Sequence, residues 1–418
     1  MDQKAWIISV NMGYGHQRTA YPLKDLAPEG KIIQANDYPG IPQEDREAWE
    51  GARKFYEAVS RFKKIPLIGE FAFFIYDQSQ KIFSFYPKRD LSKPNLQLKQ
   101  IFLLIKKGWG RHLIEKLKTN LPIISTFFTP AFMAEYFDYP GEIFCVICDS
   151  DIARTWAPLE PQKSRIKYFA PNSRVVERLK LYGVEEENIF LTGYPLPLEN
   201  TGGEDLKILK GDLENRLLNL DPQKRFFRSY QPLIKKHLGE LPQRAGHPLT
   251  IMFSVGGAGA QKEIGVKIIQ SMIREIRDGK IKIILAAGIK ERVKQYFEEN
   301  SRGLDVQIIF EKKMENYFQK FNEALRETDI LWTKPSELSF YSALGLPIII
   351  APPIGSQEES NKRWLLKSGF GLSQENPDLV HQWLFDWLNE GYLAEAALQG
   401  FVEGEKLGTL KIKKICFG

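Results

Sequence analysis

Short apolar runs recur along the chain, each stopped by polar residues, glycine or proline and followed by text with helical spacing. In the first half they are AWIISV, KIIQAND, LPIISTFF, GEIFCVICD, KYFAPN and NIFLTG. Nearly unbroken apolar strands separated by helices describe a parallel sheet covered on both faces. SRVVERLKLYG is one of the intervening helices, with Gly183 where a C-terminal cap would stand. Residues 195–248 break the rhythm with YPLPLENTGGED, a charged helical stretch and LPQRAGHP, and predict an interdomain connection with an insertion. A second series follows: LTIMFSV, IKIILAAG, VQIIFE, DILWTK and LPIIIAP. The pattern predicts two doubly wound α/β domains, residues 1–197 and 249–395, joined by 198–248.

One segment departs from this alternation. Residues 50–112 mix aromatics with lysines and arginines, as in ARKFYEAVSRFKKIPLIGEFAFFIYDQSQKIFSFYPK. A helical insertion packed on the first domain accounts for it. The other reading is an amphipathic surface that meets an anionic membrane.

Composition narrows the class. A chain of 418 residues exceeds one compact core and supports two domains. With 43% hydrophobic and 26% charged residues it has an ordinary soluble composition, and no apolar run is long enough to span a bilayer. Three cysteines make no disulfide framework and point to a reducing, cytoplasmic compartment. Cys145 and Cys148 lie in one apolar run and read as buried strand residues, since no second Cys or His pair follows at metal-ligand spacing. The net charge of +6 suits an anionic partner. Nucleic acid is disfavoured, because no binding module or basic helix is visible.

In a parallel sheet, ligands bind outside the carboxyl ends of the strands. VNMGYGHQRTA sits at such an end: Gly13 and Gly15 would permit positive φ and close approach, Tyr14 stands between them, and His16 is a base or donor candidate. A dinucleotide fingerprint would need a third glycine where Arg18 stands. SVGGAGAQKE is a second glycine loop opening a helix, whose residues Gly256, Gly257, Ala258 and Gly259 would bring main-chain N–H groups to a diphosphate. VICDSDIARTW places Asp149 and Asp151 after a strand, where a carboxylate can serve as general base. APPIGSQEESNKRWL offers Gln357, Glu358 and Asn361 for sugar hydroxyls, or simply starts a helix with favourable acids.

Taken in order, these motifs resemble the GT-B glycosyltransferases of the monogalactosyldiacylglycerol synthase family and the related peptidoglycan N-acetylglucosaminyltransferases. Those enzymes move a sugar from a UDP donor to a lipid acceptor. MGYGHQRTA is similar to the family's glycine-rich loop, FYEAVSRFKKIPLIG with FFIYD to its acceptor-side region, VICDSDIARTW to its Asp…Trp loop, and TKPSELSFYSALGLPIIIAPPIGSQEESNKRWL to its strongest signature. The resemblance implies two Rossmann-like domains facing a cleft, with a C-terminal helix, residues 396–418, crossing back to the first. It implies that Phe310 to Met314 border the uracil and that Ser336 and Glu337 lie on the donor side. It implies inverting, metal-independent transfer with a UDP-sugar as co-substrate and no cofactor, at the inner face of a membrane. Asp149 is the preferred base and His16 an acceptor or phosphate contact.

The chain also departs from the family. Ser342 stands where the family has a ribose-binding Glu, with Glu337 a possible substitute, and Ala153 replaces a His in the Asp149 loop. Two further readings therefore stand beside the transferase: a nucleotide-sugar epimerase or hydrolase, and a noncatalytic nucleotide- or sugar-binding protein on the same scaffold.

Overall fold

A computed structural model describes residues 3–51, 82–257 and 259–418. The expected aromatic and basic stretch between 52 and 81, and Ala258, therefore lie outside the described residues. By contact the chain forms two units. One runs to Pro195 and includes Gly355–Ser360 and Gly408–Gly418; the other comprises Leu196–Ile354 and Asn361–Leu407.

The first unit carries β1 (Trp6–Ser9), β2 (Ile33–Gln34), β3 (Ile123–Ser125), β4 (Ile143–Val146), β5 (Lys167–Ala170) and β6 (Ile189–Leu191). All pair in parallel in the order β2-β1-β3-β4-β5-β6. On one face Ile7, Ile124, Phe144, Val146 and Phe169 pack with Leu23, Leu26 and Ile412. The Phe144 and Phe169 rings stack at 5.0 Å on neighbouring strands. Ile412 belongs to the helix Gly408–Phe417, so the C-terminus does return to this unit. The returning helix starts at Gly408 rather than near 396: residues Tyr392–Glu403 form a separate helix within the second unit. The helix Ser173–Leu181 ends as the sequence predicts. Gly183, at φ +85, donates its N–H to Lys180 O and Val184 donates to Leu179 O, a Schellman closure that satisfies the last carbonyls.

The second unit carries β7 (Leu249–Ser254), β8 (Ile281–Gly288), β9 (Val306–Phe310), β10 (Ile330–Thr333), β11 (Ile348–Ile350) and β12 (Gly371–Ser373), all parallel, in the order β12-β11-β10-β7-β8-β9. Every strand expected from the apolar runs is present, and β12 is additional. Residues 198–248, read from the sequence as a connection with a charged helical insertion, are largely helical. They fold as helices Leu198–Thr201, Lys207–Leu220 and Arg225–Leu238 that belong to this unit. The middle one buries Leu209, Leu213, Leu217 and Leu220, one face at helical spacing.

Candidate functional site

Each sheet has a switch point, where strand order reverses and successive crossovers leave to opposite sides, opening a crevice at the strands' carboxyl ends. In the first unit it lies between β1 and β3. Gly13 follows β1 at φ +107, a conformation that side chains rarely adopt, and starts the helix Tyr14–Ala20. Gly15 lies inside that helix, so it supplies no turn; its carbonyl accepts from Thr19 Oγ1 at 2.8 Å. Tyr14 is buried rather than presented to solvent.

His16 bridges the switch point. Its Nδ1–H donates to the carbonyl of Thr126, just beyond β3, at 2.8 Å, and Thr126 Oγ1 donates to His16 O at 2.9 Å. Because a carbonyl can only accept, the neutral imidazole held this way carries its lone pair on Nε2. The ring lies edge-on to Phe127 at 4.7 Å and tilted to Trp156 at 6.4 Å. Cys148 Sγ is 3.5 Å from Nδ1, which brings the turn after β4 against the same imidazole.

Asp149 is the next residue, half-buried, on that turn. The segment behind it is firmly held. Arg178 grips Asp151 through Nε and Nη2, and Tyr182 OH donates to Ile152 O at 2.7 Å. Asn172 Nδ2 reaches Ser150 O at 3.2 Å, and buried Arg154 donates to the carbonyls of Ser92, Ala157 and Pro158. Asp151 is thus a structural ligand of Arg178. Ala153 is buried and precedes the turn Arg154–Trp156, giving the loop no polar group there. Burial pushes the Cys145 thiol well above its ordinary value, as expected for a cysteine enclosed in a strand.

In the second unit the switch point lies between β7 and β10. Thr333 pairs with Ser254, so the residues after them, Lys334 and Val255, leave the sheet side by side. The loop then turns tightly: Gly259, at φ +69, donates its N–H to Gly256 O at 2.7 Å. That amide is spent inside the loop, so Gly259 shapes the loop without offering a donor to a ligand. Gly257 lies in the turn. Gln261 precedes the helix Lys262–Ser271 and sends its side chain to Pro352 O at 2.8 Å instead of capping the helix. Lys334, not among the site residues expected from the sequence, crosses Gly256. A Cβ built there would stand 2.3 Å from Lys334 Cε. In sequence it is a cation one residue past a strand, and only the strand order sets that strand beside the glycine loop.

The remaining candidates take different places. Phe310 closes β9 with Lys294 Nζ 5.3 Å from its ring, and Met314 begins the helix Met314–Leu325. Ser336 precedes a 3₁₀ helix, Glu337–Leu344, and Glu337 is buried at its start. Ser342 is fully buried and donates to Ser339 O at 2.8 Å within that helix. Its carbonyl lies 2.3 Å from the point a Cβ on Gly400 would occupy. It faces the packed interior, so it cannot replace a ribose-binding carboxylate. Asn361 is buried and donates to Pro335 O at 3.3 Å, tying its helix to the loop after β10. Gln357 and Glu358 lie half-buried in the first turn of that helix, Ser356–Ser368. Among the described residues no three His, Cys, Asp or Glu side chains gather as a metal site would require.

Residues 242–325 match a family model described as a domain of unknown function (DUF6938). The processive diacylglycerol beta-glucosyltransferase of Bacillus subtilis (strain 168) is 21% identical over 314 residues, 73% of this chain and 72% of its own. That of Bacillus pumilus is 20% identical over 381 residues, 89% of this chain and 83% of its own. Among solved structures, MurG of Acinetobacter baumannii aligns at 13% identity over 76% of this chain and 77% of its own, with a TM-score of 0.43. The UDP-GlcNAc 2-epimerase of Neisseria meningitidis aligns at 12% identity over 78% and 83%, with a TM-score of 0.45. The resemblance carried by the motifs is thus met, over most of the chain, by relatives of the same kind: glycosyltransferases of diacylglycerol.

Proposed function

We propose that this chain is an inverting, metal-independent glycosyltransferase that moves a sugar from a UDP-type donor to a lipid or other hydrophobic acceptor. One observation carries the reading: the glycine-histidine motif and the glycine-lysine pair each fall at the switch point of their own doubly wound sheet. The acceptor oxygen attacks the anomeric carbon, the bond from that carbon to the diphosphate breaks, and the electron pair leaves with the phosphate oxygen. The acceptor's proton goes to a base. His16 suits this better than Asp149, because its Nδ1–H is committed to Thr126 and its basic nitrogen is therefore defined. The diacylglycerol relatives favour a lipid acceptor.

Calorimetry with UDP-, GDP-, ADP- and dTDP-sugars, followed by transfer to diacylglycerol in detergent, tests the reading. A UDP-sugar should bind and turn over, and His16→Asn should remove turnover while leaving donor affinity. If no nucleotide sugar binds at ~1 mM, the reading fails.

A second reading, binding without catalysis, draws on Ser342, whose hydroxyl is spent on Ser339. Tight donor binding with no transfer or hydrolysis would select it.

For the membrane we propose the helix Leu96–Lys106 as a contact. It exposes Leu96 (69%), Leu103 (53%) and Leu104 beside Lys99, Lys106 and Lys107, a mix that suits an anionic interface. No described helix is long and apolar enough to cross a membrane. Flotation with anionic vesicles should carry the protein up and Leu103→Glu should leave it behind. Equal recovery of the two at low salt would refute the contact.

A further inference from the structure

We infer that Lys334 is a phosphate-binding residue, a cation set across the switch point to hold the diphosphate of the donor. The inference rests on the nucleotide-sugar reading above. β7 and β10 are parallel neighbours although the chain visits β8 and β9 between them, and Ser254 pairs with Thr333 at their carboxyl ends. The next residues are therefore forced alongside each other. On one side the chain continues as Val255-Gly256-Gly257; on the other the first residue is Lys334.

The lysine stem lies across Gly256. The point where a Cβ would sit is 2.3 Å from Lys334 Cε, 3.3 Å from Cδ and 3.2 Å from Nζ. Gly256 does not have the positive φ that would demand glycine. Its lack of a side chain is explained by the lysine, whose last methylenes occupy that space. An anion resting on the main chain at Gly256 and Gly257 thus meets an ammonium within contact range, in the crevice where doubly wound sheets bind phosphates. Gly259 spends its N–H on Gly256 O, so the loop's own donors are fewer than its glycines suggest, and a cation makes up the charge. In the proposed transfer the donor's bond from anomeric carbon to phosphate oxygen breaks with its electron pair on the diphosphate. The Lys334 ammonium faces that growing charge and takes part in no bond change itself.

The test uses the full chain with three probes: UDP, uridine and inorganic diphosphate. Lys334→Met keeps the stem against Gly256 and removes only the charge. It should weaken UDP at least about tenfold and leave uridine unchanged. Gly256→Ala, which drives a methyl into the lysine stem, should weaken UDP in the same direction. Inorganic diphosphate should raise the melting temperature of the wild type and not of Lys334→Met. UDP affinity within twofold of wild type in Lys334→Met would overturn the inference. If the wild type ignores UDP and uridine but responds to diphosphate through Lys334, the nucleotide reading fails and the phosphate site stands. If neither UDP nor diphosphate depends on Lys334, the site itself is refuted.

Discussion

Arg178 holds Asp151 in a two-pronged grip, Nε to Oδ1 and Nη2 to Oδ2, each at 2.8 Å. The guanidinium is 1% exposed and the carboxylate 15%, so water barely competes. The same arginine reaches from the helix Ser173–Leu181 to the loop after β4, and its guanidinium also lies 5.2 Å from the Phe85 ring. Helix, loop and the segment around Phe85 are joined at one point.

Removing one partner of such a pair leaves a buried charge unmatched, which costs about 3–5 kcal/mol. Asp151→Asn should lower the denaturant midpoint accordingly, and Arg178→Lys should lower it less, because the charge stays but an ammonium cannot make both bonds. Any transferase activity should fall in both variants, since Asp149 stands two residues away. An unchanged midpoint in Asp151→Asn would mean that Arg154 and Asn172 hold the loop unaided.

Ser342 bears on whether the missing family carboxylate can be restored. It is fully buried in a 3₁₀ helix, and its own backbone carbonyl is packed against Gly400, where a Cβ would stand 2.3 Å from it. Ser342→Glu should therefore lose soluble protein or melt far below wild type, with no gain in donor affinity. Ser342→Ala should cost only about 1 kcal/mol for one hydrogen bond. A stable Ser342→Glu that binds UDP more tightly would show that the side chain can turn outward.

How far the sequence reveals this molecule depends on how local each signal is. The strands of both sheets are legible because runs such as IIIA and IIL announce themselves within a few residues. β12 escapes because GLS is short and begins with a glycine. That glycine makes sense only beside β11, where a Cβ would lie 2.2 Å from Ile348 O. Gly13 is legible as a turn, while its twin Gly15 is an ordinary helical position. Lys334 escapes because its meaning comes from a neighbour far away in sequence, brought alongside by strand order.

Asp329 should make stability depend on pH. It sits at the amino end of β10, where its Oδ2 accepts from Thr250 N at 2.8 Å and Asn219 Nδ2 at 2.9 Å, with His247 Nδ1 3.7 Å away. Burial pushes its carboxyl up to about 8, only partly offset by the Thr250 amide, the nearby Arg216 and Asn219. A folded value above the unfolded one means that the native state keeps a proton that the unfolded chain has released. This contribution is complete below the ordinary carboxylate range and is lost as pH rises towards 8, by at most about 1.4 kcal/mol per unit. Unfolding at pH 5.5 and 7.5 should show greater stability at the lower pH, and Asp329→Asn should flatten the difference. The same slope in Asp329→Asn would assign it to other groups.

Gly13 offers the cleanest separation of backbone from side-chain effects at the His16 motif. It holds φ +107, and a Cβ placed on it would meet nothing within 4 Å. An alanine there suffers no collision with its surroundings, and its whole penalty is the cost of that backbone conformation, about 1–3 kcal/mol. Relief of the strain would pull on the first turn of the helix Tyr14–Ala20, three residues before the imidazole fixed to Thr126. Gly13→Ala should therefore lower stability by that amount and cut turnover by more than the stability loss explains, while leaving UDP affinity alone. A variant with wild-type stability would mean that the turn relaxes into an ordinary conformation at no cost, and that His16 does not depend on the glycine before it.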